Sequence, residues 1–132
     1  MILLDTQALV WWAQEDSTRL SLPARQEISK AEKDNALAAS AMSIWEVCLL
    51  VKSGRLHLKV SIEDWLDALV SLPEIQIVPV DGAIAKTSVF LPEPFHKDPA
   101  DRIIIATAIR EGATLVTSDK KILRYPHVKA IW

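Results

Sequence analysis

The stretch His96–Ala108, HKDPADRIIIATA, decides how the chain is read. Asp98 stands where a helix N-cap belongs, and Pro99 fits the first helical position, where a missing N–H costs nothing. Asp101 follows in the first turn, beside the positive end of the helix dipole. Ile103-Ile104-Ile105-Ala106 is then apolar on every side, which predicts a buried helix over Pro99–Glu111, stopped by Gly112. An acidic pair at the mouth of a buried helix is either a cap or a place for a cation, and the rest of the chain has to decide between them.

Towards the C-terminus, Thr114–Thr117 reads as a strand running into Ser118-Asp119, then a short helix through Leu123 and a last strand over Val128–Ile131. Towards the N-terminus, Leu91–Phe95 is loop, Asp81–Val89 a helix, and Ile75–Val80 a strand. Ser61 caps a helix to Ser71, with Trp65, Leu66 and Leu69 on one face. Ser43 is expected to cap a helix from Ile44 to Ser53, ended by Gly54. Ala36–Ala41 is a strand, Asp34-Asn35 a turn, and Ser21-Leu22-Pro23 opens a helix to about Lys33. Met1–Leu4 is a buried strand ending in Asp5. The helix after it, Thr6–Gln14, is apolar all round through Ala8-Leu9-Val10-Trp11-Trp12-Ala13, so it is fully buried or faces a partner. Adjacent tryptophans cannot both point into one core, which places at least one of Trp11 and Trp12 at the surface or in an interface.

Strands alternating with helices imply an α/β fold of three layers, α/β/α, around a central parallel sheet of four to five strands. There is no repeat or linker, so residues 1–132 form one domain. In such folds the site lies beyond the C-terminal ends of the strands. Asp5 follows the first strand and Asp119 the fourth. Glu46 and Asp101 are expected in the first turns of helices entered from that same end. Four carboxylates from distant parts of the chain are therefore predicted to converge.

The whole chain narrows the chemistry. Half of its residues are hydrophobic and 24% are charged, the balance of a soluble globular domain. The formal net charge of −2 gives no global basic field. The charge is uneven: residues 1–95 carry 8 Lys+Arg and 13 Asp+Glu, residues 96–132 carry 7 and 4, so substrate phosphates are expected near the C-terminal third. The three glycines, Gly54, Gly82 and Gly112, make no phosphate-binding loop. Cys48 stands alone and is expected in the core, so disulfides and cysteine-based zinc sites are excluded. His57, His96 and His127 lack zinc-type spacing. No leader is evident and no apolar run nears the ~20 residues that span a bilayer, so the expected compartment is the cytoplasm.

Each acid has a structural reading of its own. Asp5 and Asp119 can cap the helices that follow them, Ser43 with Glu46 spells a capping box, Asp98 is a cap, and Asp101 suits the helix dipole. The combination asks for more. Clustered carboxylates repel one another, which raises their pKa values unless a cation intervenes. Oxygen-only ligands suit Mg²⁺ or Mn²⁺, which assist in-line displacement at phosphorus.

Four pieces taken together, ILLDTQALVWW, SAMSIWEVCLLVKSGRL, HKDPADRIIIATA and GATLVTSDKKI, resemble the PIN-domain ribonucleases, and within them the VapC toxins of bacterial toxin–antitoxin pairs. The resemblance covers nearly the whole chain. It implies a PIN-like fold and a Mg²⁺- or Mn²⁺-dependent endoribonuclease whose acidic positions are Asp5, Glu46, Asp101 and Asp119. Asp98 is then a cap or lies just outside the ligands. The family's hydroxyl positions match Thr6 and Thr117, with Ser43 a further candidate, as groups that orient carboxylates or bound waters. Arg102, Lys120 and Lys121 are candidate phosphate contacts by charge and place. The resemblance also implies an RNA substrate, a homodimer, and a VapB-like antitoxin whose C-terminal segment lies along the toxin; Trp11 or Trp12 would line that groove or the dimer interface. The alternative is a PIN-like RNA-binding or protein-interaction module that no longer cuts. A haloacid-dehalogenase-like phosphatase needs a second acid where Gln7 stands, and a receiver domain needs an acidic pair that LLDT lacks.

Overall fold

A computed structural model describes residues 1–132. Five short strands, β1 (Ile2–Leu4), β2 (Leu37–Ser40), β3 (Ile75–Val78), β4 (Thr114–Val116) and β5 (Ala130–Ile131), form one sheet in the order β3-β2-β1-β4-β5. Every pairing is parallel. The helices are α1 (Thr6–Ala13), α2 (Leu22–Lys33), α3 (Ala41–Lys52), α4 (Ile62–Ser71), α5 (Gly82–Val89), α6 (Pro99–Glu111) and α7 (Lys120–Leu123), with a single 3₁₀ turn at Ser17–Arg19.

The strand alternation decides which residues build each layer. Ile2, Leu4, Leu37, Ala39 and Val116 face one core, with Leu9 of α1, Ile28 of α2, Val47 of α3 and Trp65 of α4. Leu3, Ala38 and Leu115 face the other, with Ile84 of α5, Ile104 and Ile105 of α6 and Ile122 of α7. The result is the expected α/β/α sandwich. No helix is long and apolar enough to cross a membrane.

Helix α6 is bounded as its sequence predicts. Asp98 Oδ1 accepts from the Ala100 N–H at 2.9 Å, and Gly112 ends the helix in the left-handed conformation with φ of 62°. Helix α3 starts earlier than expected. Its cap is Ser40, whose hydroxyl accepts from the Met42 N–H at 3.0 Å, so the helix begins at Ala41 with no intervening loop. Ser43 is therefore no cap: it is buried inside the helix, no capping box forms with Glu46, and Glu46 sits in the second turn rather than the first. The run ASAMS suits strand end and helix start equally, and β2 ends at Ser40, one residue before the expected Ala41. Cys48 is exposed on α3, not in the core.

Candidate active site

β1 is central, with β2 on one side and β4 on the other, so the strand order, not the strand direction, switches here; crevices at such points are where open parallel sheets bind ligands. Asp5 leaves the end of β1, Glu46 comes from the helix that follows β2, and Asp119 comes from the turn after β4. Asp101 arrives from the opposite helical layer, on the first turn of α6, which packs against α3.

The backbone holds two of these acids. Asp5 caps α1, accepting from the Ala8 N–H at 2.8 Å, and Asp119 caps α7, accepting from the Lys121 N–H at 2.8 Å. Hydroxyls hold the carboxylates from the side. Buried Thr6 donates to Glu46 Oε1 at 2.5 Å and lies 3.0 Å from Ser43 Oγ. A hydroxyl has one proton, so with Thr6 donating to the carboxylate, Ser43 donates to Thr6. Thr117, fully buried, accepts from the Asp119 N–H at 3.1 Å, and its hydroxyl bonds to Asp5.

The carboxylates feel one another. Burial pushes Asp5 up from the usual carboxylate range, against the Thr117 and Ala8 hydrogen bonds, and the charges of Glu46 and Asp119 push the same way. Burial also raises Glu46, opposed by Thr6 and reinforced by Asp98. Asp101 is raised to about 7, through burial first and then the charges of Asp98, Asp119, Glu46 and Asp5. The four predicted acids thus share one electrostatic site, with exposed Asp98 at its edge. A hard cation bound among these oxygens relieves both the repulsion and the burial, so the donor set fits Mg²⁺ or Mn²⁺.

This crowding has a consequence for stability. Folded protein holds the Asp101 proton more tightly than the unfolded chain, so stability falls as pH rises from about 3.8 to about 7 and stays lowered above that. In metal-free buffer, Asp101→Asn is therefore expected to match wild type near pH 4 and to exceed it above pH 7. The carboxylate keeps 24% of its surface exposed, so solvent screening discounts the gain to about 1–2 kcal/mol. Thermal melts across that range check it; equal melting temperatures at pH 8 would contradict it.

Two groups depart from their sequence reading, Arg102 and His96, while Lys120 and Lys121 do not. The Arg102 guanidinium does not face a phosphate site. It donates to the carbonyls of Ser88 at 2.9 Å, Val89 at 3.2 Å and His96 at 3.4 Å, and pairs with Glu93 at 3.2 Å. Those acceptors lie on the α5 end and the loop after it, so Arg102 ties that loop to α6. Lys120 and Lys121 are exposed at the start of α7, beside Asp119. His96, set aside for want of zinc spacing, has a ring nitrogen that lies with carboxylate oxygens of Asp101 and Asp119 in a group spanning no more than 4.8 Å. Its one sequence signal is its place at the head of HKDPADR, which gains meaning only when the loop folds back over α6.

Away from the acids lies a groove of about 540 Å³ between α1, α2 and α4. Trp11, Trp12, Leu20, Trp65 and Leu69 line it, and Glu15, Glu32 and Glu74 contribute its charged wall. Trp12 donates its indole N–H to Glu32, and Trp11 packs on Trp132 with ring centres 5.8 Å apart. Both tryptophans are half-buried.

The model of the PIN domain family matches residues 2–128. Ribonuclease VapC22 of Mycobacterium tuberculosis is 37% identical over 133 aligned positions, spanning 99% of this chain and 98% of the relative. Among solved structures, VapBC2 of Rickettsia felis bound to a DNA fragment from its promoter superposes with a TM-score of 0.70 at 22% identity, covering 99% of this chain and 98% of that one. FitAcB of Neisseria gonorrhoeae gives 0.63 at 23%, covering 100% and 97%. The two solved structures speak for the fold, and the family model and the Mycobacterium relative speak for descent: the chain belongs to the PIN domain family, in its VapC branch.

Proposed function

We propose that this protein is a divalent-metal-dependent endoribonuclease and the toxin of a VapBC-type pair. The observation that carries the reading is the meeting of Asp5, Glu46, Asp101 and Asp119 beside the C-terminal ends of β1 and β4, and the name of the Mycobacterium relative supplies the substrate class. Asp5, Glu46, Asp101 and Asp119 would hold the cation. Bound there, Mg²⁺ or Mn²⁺ would polarise a phosphodiester oxygen and ease ionisation of a water. Thr6, Ser43 and Thr117 keep the carboxylates aimed, and Lys120 and Lys121 attract the RNA backbone to the Asp119 side.

The partner reading rests on the groove. An apolar trough with three glutamates in its wall suits an apolar segment bearing basic residues, which fits a VapB-like antitoxin. A homodimer is the further expectation; exposed Trp45 and Leu49, one turn apart on α3, offer a face for it, and a monomeric mass in light scattering would remove it. The function itself is tested by incubating purified, antitoxin-free protein with structured and unstructured RNAs in Mg²⁺, Mn²⁺ or EDTA. Cleavage with either metal and none in EDTA is expected. RNA binding without cleavage in any metal would instead identify a binding module.

A further inference from the structure

We infer that His96 is a positioning residue for the candidate metal site: its Nε2–H holds one oxygen of Asp101 from outside the coordination sphere and leaves the other oxygen for the cation. This rests on reading the acidic cluster as a metal site.

The first observation is place. His96 Nε2 lies 3.2 Å from Asp101 Oδ2, and the side chains of the pair are only 22% and 24% exposed. Nε2 itself is fully covered and makes no hydrogen bond of good geometry. A covered donor without an acceptor costs about 1–3 kcal/mol, and the carboxylates of Asp101 and Asp119 are the acceptors at hand. Asp101 Oδ2, at 3.2 Å, is within hydrogen-bond distance of this nitrogen.

The second observation is the ring's proton. The backbone N–H of Asp98 donates to His96 Nδ1 at 3.4 Å. A nitrogen that accepts carries no proton, so the neutral ring is protonated on Nε2. That nitrogen cannot ligate a metal. A metal-bound imidazole shows the reverse pattern, with its far nitrogen donating. The geometry therefore favours a donor to the carboxylate over a fifth ligand.

The third observation is how the ring is aimed. Arg102, next to Asp101 in the chain, grips the carbonyls of Ser88, Val89 and His96 and the carboxylate of Glu93. Glu93 also accepts the Phe95 N–H at 2.8 Å. The Phe95 ring packs 4.2 Å from the His96 ring and 4.7 Å from that of Tyr125, whose hydroxyl donates to the Pro92 carbonyl at 2.7 Å. The loop is thus fastened to α6 and to the segment after α7, and those fastenings lay the imidazole over Asp101. Arg102 acts on the site through this loop rather than through the substrate.

The test is Mn²⁺ affinity of the full-length, antitoxin-free protein, by calorimetry, for wild type, His96→Ala and His96→Gln, with pulsed EPR on wild type. Outer donors to metal ligands contribute about tenfold or more in affinity. His96→Ala is expected to bind Mn²⁺ about tenfold more weakly. His96→Gln, whose amide N–H replaces Nε2–H, should stay close to wild type, with no directly bound nitrogen in the EPR spectrum. Unchanged affinity in His96→Ala, equal loss in both variants, or a nitrogen bound to Mn²⁺ would each overturn the inference. Should His96→Ala not fold, the Gln variant and the spectrum still decide. RNA cleavage is followed separately: a protein that binds Mn²⁺ as described yet cuts no RNA would sink the ribonuclease reading and leave His96 in place.

Discussion

Asp5→Asn is expected to lower metal-dependent RNA cleavage by roughly 10²–10³-fold with the fold intact, the scale seen when one preorganised electrostatic group is removed from an active site. Asp5 lies at the end of the central strand, between acids supplied by the β2 and β4 sides, so no neighbour can take its position. Its second task is structural, as cap to the Ala8 N–H at 2.8 Å. Asparagine caps nearly as well, so the substitution separates charge from architecture. Burial and neighbouring acids already disfavour the ionised form, so the variant should melt at or above the wild-type temperature without metal. Single-turnover cleavage and circular dichroism melts on the same preparations give both readings. Wild-type cleavage by a well-folded Asp5→Asn would place the chemistry elsewhere.

Trp12→Ala is expected to weaken antitoxin binding by about thirtyfold or more, the effect of losing a buried aromatic anchor worth about 2 kcal/mol, and to leave the cleavage rate of the free protein unchanged. The reason is the layout of α1. Its N-terminus carries the cap Asp5 and Thr6 at the acidic edge, and its last turn carries Trp11 and Trp12 in the groove. Eight residues of helix span about 12 Å, so a segment seated on the tryptophans reaches the carboxylates with a few extended residues. Glu32 beside the indole would then meet a basic residue of that segment. Trp12→Phe keeps most of the apolar area and loses the N–H given to Glu32, and should lie between the two. Titrations of the co-purified antitoxin against each variant measure the loss; full affinity in Trp12→Ala would remove the groove from the account.

The central strand was legible because Ile2–Leu4 is a short apolar run closed by Asp5, and α6 was legible because cap, proline and terminal glycine agree with its buried face. The four acids were legible only as a set, through the rule that parallel sheets carry sites at their C-terminal edge. What escaped depended on the path of loops. Ser43 follows a serine and an alanine that serve a strand end or a helix start equally, so the cap fell at Ser40 instead. Arg102 has the charge of a phosphate ligand, and nothing in the sequence tells that three carbonyls will surround it. His96 becomes a neighbour of Asp101 only where the loop folds back over α6, held by Arg102 together with Phe95 and Tyr125. The adjacent tryptophans had to leave the core at least in part, and both do so, into one groove.

Where a cation sits is the most direct test of the acidic site. A crystal of the antitoxin-free protein soaked in Mn²⁺, with data collected for manganese anomalous scattering, locates it without any assumption about substrate. An anomalous peak is expected within coordination distance of carboxylate oxygens from Asp5, Asp101 and Asp119, with Glu46 on the same centre or one water away. A manganese peak elsewhere, with these four side chains unmoved and without metal at saturating Mn²⁺, would contradict it.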